Sequence, residues 1–120
     1  MIRGIGTDII EIERIEKAMK KATFRKKIFT DLEIDLINEK GMRTASANFA
    51  GKEAVSKALG TGIRGFGMTD IEILRDSFGN PYVVLHNEAK EIADRYNIKN
   101  IEISLSHCKK YVVAFVIMEK

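Results

Sequence analysis

The chain has 120 residues, enough for one hydrophobic core and too few for two, so a single domain spanning 1–120 is expected. Hydrophobic residues make up 45% and charged residues 31%, the composition of an ordinary soluble globular chain, and no apolar run approaches the ~20 residues that cross a bilayer, so no membrane partner is expected. A net charge of +3 and a pI near 9.0 favour an acidic partner, and a single cysteine, Cys108, excludes an internal disulfide or a cysteine metal cluster. The N-terminus lacks a basic stretch followed by an apolar one, so no secretory signal is read and the cytoplasm is the expected compartment.

Ile2 to Ile10 is rich in isoleucine, with Gly4 and Gly6 marking a bend or a close approach of another backbone or ligand, and reads as a strand. Asp8 near its end needs a partner, a metal or exposure; capping the next helix, with Glu11 completing a capping box, is one reading. Ile12, Ile15, Ala18, Met19 and Ala22 follow helical spacing and predict an amphipathic basic helix over Ile12 to Lys21, with Arg14, Lys17 and Lys21 on its polar side. A second basic stretch, Phe24 to Phe29, precedes the capping box Thr30-Asp-Leu-Glu33 and a helix that ends at Gly41. Gly41 to Thr44 is read as a short link.

The next helix, Ser46 to Leu59, carries Phe49, Glu53 and Lys57 four apart along one face. A solvated Glu–Lys pair worth about 0.3–0.5 kcal/mol is one meaning of that stripe. Ala47, Ala50, Gly51, Ala54 and Ala58 give the helix a surface that another backbone or a ligand can approach. Gly60 is read as its C-cap, opening the glycine run Gly60-Thr-Gly-Ile-Arg-Gly-Phe-Gly67. Met68 to Arg75 and Pro81 to His86 predict a hairpin around Asp76-Ser-Phe-Gly-Asn80, with Pro81 at a strand start. Glu88 to Tyr96 reads as a helix. Ile101, Ile103 and Leu105 alternate with polar residues in a strand, and Tyr111 to Met118 is apolar on both faces, which predicts a central strand covered on both sides. The order of elements predicts an α+β fold, a largely antiparallel sheet with helices packed on one face.

Phe49-Ala-Gly-Lys-Glu-Ala-Val-Ser-Lys57, taken with Gly4-Ile-Gly-Thr-Asp8, resembles the two-part motif of the 4'-phosphopantetheinyl transferases. Order, spacing and chain length are similar to the holo-(acyl carrier protein) synthase branch, and the likeness includes Gly60-Thr-Gly62, Asn80-Pro-Tyr82 and Ser104-Leu-Ser-His107. The resemblance implies transfer of 4'-phosphopantetheine from coenzyme A to a serine of apo acyl carrier protein, leaving adenosine 3',5'-bisphosphate. It implies Asp8 and Glu53 as Mg²⁺ ligands and catalytic groups. For coenzyme binding it implies Lys57, Gly60, Arg64, Pro81, Ser106 and His107. It also implies a carrier-docking surface at Arg14, Lys17 and Lys21, and a homotrimer with active sites between subunits.

The chemistry agrees with those assignments. Oxygen ligands suit Mg²⁺, which binds through one or two carboxylates plus substrate phosphates. Lysine, arginine and backbone N–H groups suit the pyrophosphate and 3'-phosphate of coenzyme A. The glycine run is not a P-loop, since it follows its helix and lacks the Gly-Lys-Ser/Thr ending. A base must take the serine proton, and the sequence leaves open whether Glu53 or a metal-bound water does so. Two departures stand out: Asn48 occupies a position where relatives often carry arginine, as do Lys20 and Thr23 in the docking stretch. The alternatives are a coenzyme-binding or oligomeric domain without catalysis and a small basic nucleic-acid-binding module. The latter would interleave exposed aromatic and basic residues on its sheet, and no stretch does.

Overall fold

Strand β1 (Ile2–Glu11) leads into helices α1 (Ile12–Ala18), α2 (Ala22–Ile28), α3 (Asp31–Lys40) and α4 (Met42–Leu59). A 3-10 turn, Met68–Asp70, precedes strands β2 (Ile71–Arg75) and β3 (Pro81–Leu85), helix α5 (Asn87–Arg95), and strands β4 (Asn100–His107) and β5 (Tyr111–Glu119). The computed structural model describes residues 1–60 and 65–120. All strand pairs are antiparallel, in a three-stranded sheet of order β1-β5-β4 and a separate β2-β3 hairpin. The α+β expectation therefore holds, with the sheet split in two.

The two sheets meet on α4. Val112, Ala114, Val116 and Met118 of β5 are fully buried on the face that α4 covers, each of the larger ones stabilising the fold by roughly 1.5–3 kcal/mol. Ile71 and Ile73 of the hairpin are equally buried. A Cβ on Gly51 would stand 2.4 Å from Ile73 and 3.2 Å from Ile103, so this glycine lets α4 bridge both sheets.

Four expectations need correction. Tyr111, Val113 and Phe115 are 38–43% exposed, so β5 is central but covered on one face only within this chain. The basic helix stops at Ala18: the Arg25 guanidinium hydrogen-bonds the Met19 carbonyl, and Lys21 is the N-cap of α2. That break lets Phe24 stack on Phe49, with ring centroids 6.1 Å apart. The link at Gly41 to Thr44 is largely helical, because Gly41 at φ 107° ends α3 and α4 begins at Met42. Met68 to Asp70 forms the 3-10 turn, shortening the expected strand to Ile71–Arg75. The Thr30–Glu33 capping box is present as read, and Gly60 caps α4 in the left-handed region at φ 82°.

Candidate active site

What places Asp8 beside α4 is the absence of side chains two and four residues before it. A Cβ on Gly4 would lie 2.0 Å from the Ala58 carbonyl oxygen, and one on Gly6 would lie 1.9 Å from that of Ala54. Strand and helix backbones are thus in direct contact, an approach only glycine permits. Asp8 lies on the same face of β1 as these glycines, because alternate residues share a face. It meets Lys57: Lys57 Nζ donates to Asp8 Oδ1 at 3.3 Å and to the Thr7 carbonyl at 2.9 Å. Asp8 is therefore not the cap of α1, whose N-cap is Glu11 without a side-chain bond.

The Asp8 side chain is 15% accessible, and among the described residues its Oδ2 is buried without a hydrogen-bond partner. An orphaned carboxylate oxygen is costly unless a cation or donor meets it. Glu53, half-buried one turn before Lys57, feels the same shortage of positive charge. Burial first, and the negative charge of Asp8 second, push its carboxyl above the ordinary value of 4.5, while Lys57 and Arg14 pull it back. A divalent cation between the two carboxylates would relieve both, and an all-oxygen donor set fits a hard ion such as Mg²⁺. Among the described residues no three His, Cys, Asp or Glu side chains converge, so the protein would supply two carboxylates and leave the other positions to water and phosphate oxygens.

A second feature lies toward the start of α4. Arg43, Arg75, Pro81, Leu105 and His107 line a cavity of about 270 Å³, which brings two guanidiniums and an imidazole together with no carboxylate among its lining residues. Pro81 and His107, both named in the coenzyme assignment, line this one cavity. Ser106 lies on the opposite face of β4 and does not line the cavity, Gly60 is exposed at the helix end, and Arg64 lies outside the described residues. Arg43 and Arg75 escaped the sequence reading, although Arg75 pairs directly with Pro81 across the hairpin and that register was there to be read.

Behind this cavity lies a polar cluster inside the core. Lys52 and Glu33 are fully buried and joined at 2.6 Å. Glu33 also accepts from the Thr30 and Ile73 backbone N–H groups, while Lys52 donates to the Met68 and Ile71 carbonyls. Asn48, also fully buried, donates to Glu33 at 2.9 Å and to the Ile73 carbonyl at 2.8 Å. Asn48 Oδ1 accepts from Arg75 at 2.9 Å. The cluster ties α3, α4 and β2 together.

Of the expected docking residues, Arg14 and Lys17 are exposed on α1, with Lys17 in a 3.3 Å surface pair with Glu13, and Lys21 is exposed at the start of α2. Arg14 is near enough to Glu53 to lower its pKa, so the basic surface borders the carboxylate pair.

A carboxylate pair at a strand–helix contact, with a cationic cavity further along the same helix, sits here on a fold shared with solved synthases. The structure of holo-[acyl-carrier-protein] synthase from Neisseria meningitidis superimposes with a TM-score of 0.92 at 34% identity, covering 100% of both chains. The Helicobacter pylori synthase solved in complex with coenzyme A gives a TM-score of 0.85 at 36% identity, covering 96% of this chain and 99% of that one. Holo-[acyl-carrier-protein] synthase of Alkaliphilus oremlandii is 55% identical over 95% of this chain and 96% of its own length. The family model of the 4'-phosphopantetheinyl transferase superfamily matches residues 4–116. The chain belongs to that superfamily, in its holo-[acyl-carrier-protein] synthase branch, and is an enzyme.

Proposed function

We propose that the chain transfers 4'-phosphopantetheine from coenzyme A to a serine of apo acyl carrier protein in a Mg²⁺-dependent reaction that releases adenosine 3',5'-bisphosphate. The observation that carries this reading is the convergence of Asp8, with its orphaned buried oxygen, and Glu53 beside Lys57. Asp8 and Glu53 would hold the Mg²⁺, which when bound would neutralise charge on the pyrophosphate. Lys57 steadies a phosphate oxygen through a charge-assisted bond. The serine oxygen forms the new P–O bond as the pyrophosphate P–O bond breaks, and the leaving nucleotide takes the electron pair. The serine proton goes to Glu53 or to a water held at the carboxylate pair. His107, Arg43 and Arg75 bind the nucleotide end of the coenzyme, and Arg14, Lys17 and Lys21 receive the carrier protein.

The same reading includes a homotrimer with active sites between subunits. Its support is the open face of the three-stranded sheet, where Ile5, Ile9, Val113 and Phe115 are 38–62% exposed in the single chain. Sedimentation equilibrium at the mass of one chain would refute it. Among the described residues no helix is long and apolar enough to cross a membrane, and a lone exposed Cys108 suits the reducing cytoplasm we assign.

Incubation with Mg²⁺, coenzyme A and apo acyl carrier protein, read by intact-protein mass spectrometry, tests the reaction. The carrier should gain one phosphopantetheine group. An unmodified carrier at full incubation would overturn the assignment.

A further inference from the structure

We propose that the two sheets are the halves of one sheet held open along a seam, and that β3 swings on β2 to pair with β4 when ligand binds. The ligand-driven closure rests on the coenzyme reading above; the open seam does not.

The backbone bonds fix which way each strand edge points. In an antiparallel pair, residues that exchange both bonds turn N–H and C=O toward each other, and the residues between them turn the opposite way. The Asp76 N–H donates to the Asn80 carbonyl at 2.9 Å, and the His86 N–H to the Asp70 carbonyl at 2.8 Å. In the register of this hairpin those bonds turn Tyr82 and Val84 toward β2, and Pro81, Val83 and Leu85 away from it. The Cys108 N–H donates to the Tyr111 carbonyl at 2.9 Å. The β4–β5 register then turns Glu102 and Ser104 toward β5, and Ile101, Ile103 and Leu105 outward.

These two outward edges face each other. Pro81 and Leu105 line the cationic cavity at one end, and Leu85 and Ile101 line a second cavity of about 380 Å³ at the other, so the strands lie side by side and antiparallel. Alternation along each strand sets Val83 opposite Ile103. Every residue in the facing rows turns its backbone groups to the other strand, yet no ladder joins β3 to β4. Matched, unpaired strand edges are a template for pairing. Pro81 stands where its missing N–H costs no ladder bond. The opposite edge of the hairpin is already satisfied. The Ile71 and Ile73 carbonyls accept from Lys52 and Asn48, and the Ile73 N–H donates to Glu33. Strand β2 is therefore the anchored hinge and β3 the free leaf.

Electrostatics holds the leaf open in the free protein. Closure carries Gly79 and Pro81 toward Leu105 and His107, narrowing a cavity that Arg43 and Arg75 line without a carboxylate. Stripping water from two guanidiniums with no counter-charge is unfavourable. A bound anion supplies that charge and lets the backbone groups of the seam pair.

Amide hydrogen exchange on the full chain, read residue by residue by NMR with and without saturating coenzyme A at fixed Mg²⁺, tests this. In the free protein the Val83, Leu85, Ile103 and Leu105 amides should exchange at least about a hundredfold faster than those of Tyr82, Val84, Glu102 and Ser104 in the same strands. Coenzyme A should slow the first set at least about tenfold and leave the second nearly unchanged. Val83→Pro removes a seam donor without touching the β2 ladder, and should abolish the slowing at Ile103 and Leu105. If that variant does not fold, the two wild-type measurements decide alone. Seam amides as protected as ladder amides in the free protein would overturn the proposal. So would coenzyme A that binds, by calorimetry on the same sample, without slowing them. No binding heat at all would overturn the coenzyme reading and the closure together. Closure in a protein that leaves apo acyl carrier protein unmodified would refute the transfer reading alone.

Discussion

Gly6→Ala tests the contact that brings the two carboxylates together. The added methyl carbon would sit 1.9 Å from the Ala54 carbonyl oxygen, whereas ordinary contact begins near 3.4 Å, so helix and strand must separate by about 1.5 Å. The obstacle is helix backbone, which cannot swing aside as a side chain does. Overpacking of this kind costs about 1–3 kcal/mol, and at roughly 4 °C per kcal/mol the melting temperature should fall by about 4–12 °C. Glu53 is the residue before Ala54 and moves with it. A misplacement of about 1 Å at a reacting centre can cost on the order of 100-fold in rate. Thermal melts and single-turnover transfer to apo acyl carrier protein measure the two effects. Gly67→Ala is the control: its Cβ would meet nothing nearer than 4.0 Å, and it should melt within about 2 °C of wild type. A Gly6→Ala protein with wild-type melting and wild-type rate would refute the claim that backbone contact builds the site.

Glu53→Gln should abolish transfer yet stabilise the metal-free protein at neutral pH. A carboxyl whose folded pKa is raised contributes stability below its unfolded value and loses it as pH rises through the folded value, so the ionised glutamate is a cost at pH 7 that glutamine removes. In EDTA the difference in melting temperature should shrink as pH falls toward 4.5, and a variant less stable than wild type at pH 7 would contradict the assignment. Lys52→Met should cost about 3–5 kcal/mol in urea unfolding, because it leaves Glu33 charged and buried without its cation, and Glu33→Gln in the same chain should recover much of the loss. A loss under about 1 kcal/mol would mean that Glu33 is already neutral. Arg14→Glu with Lys21→Glu should slow association with apo acyl carrier protein at least about tenfold, and salt should slow wild type, while coenzyme A affinity holds. Association insensitive to both would return that surface to simple solvation.

What the sequence revealed was what periodicity and local chemistry record. Alternation in Ile101, Ile103 and Leu105, the Thr30–Glu33 box and the small-residue face of α4 each reflect short-range pattern, and each is present in the fold. Gly4 and Gly6 were legible as a close backbone approach. Which backbone they meet was not, because Ala54 and Ala58 lie some fifty residues on. The Glu33–Lys52 pair was illegible for a different reason: charged residues are normally solvated, and nothing local marks the pair as buried. Asn48 was noticed as a missing arginine. The arginine that Asn48 meets comes from position 75, on a different element, and only tertiary structure brings the two side chains to 2.9 Å. The break between α1 and α2 carries no glycine or proline; it follows from the Arg25 bond to Met19 and from the Phe24–Phe49 stack.

Transfer rate as a function of Mg²⁺ concentration, for wild type beside Asp8→Asn and Glu53→Gln, is the most direct test of the carboxylate pair. Both substitutions keep side-chain size and leave one charged ligand for an ion that dehydrates reluctantly. Wild type should saturate with Mg²⁺, and both variants should stay inactive at limiting metal while retaining their cooperative unfolding. Near-wild-type transfer by either variant at limiting Mg²⁺ would contradict the account.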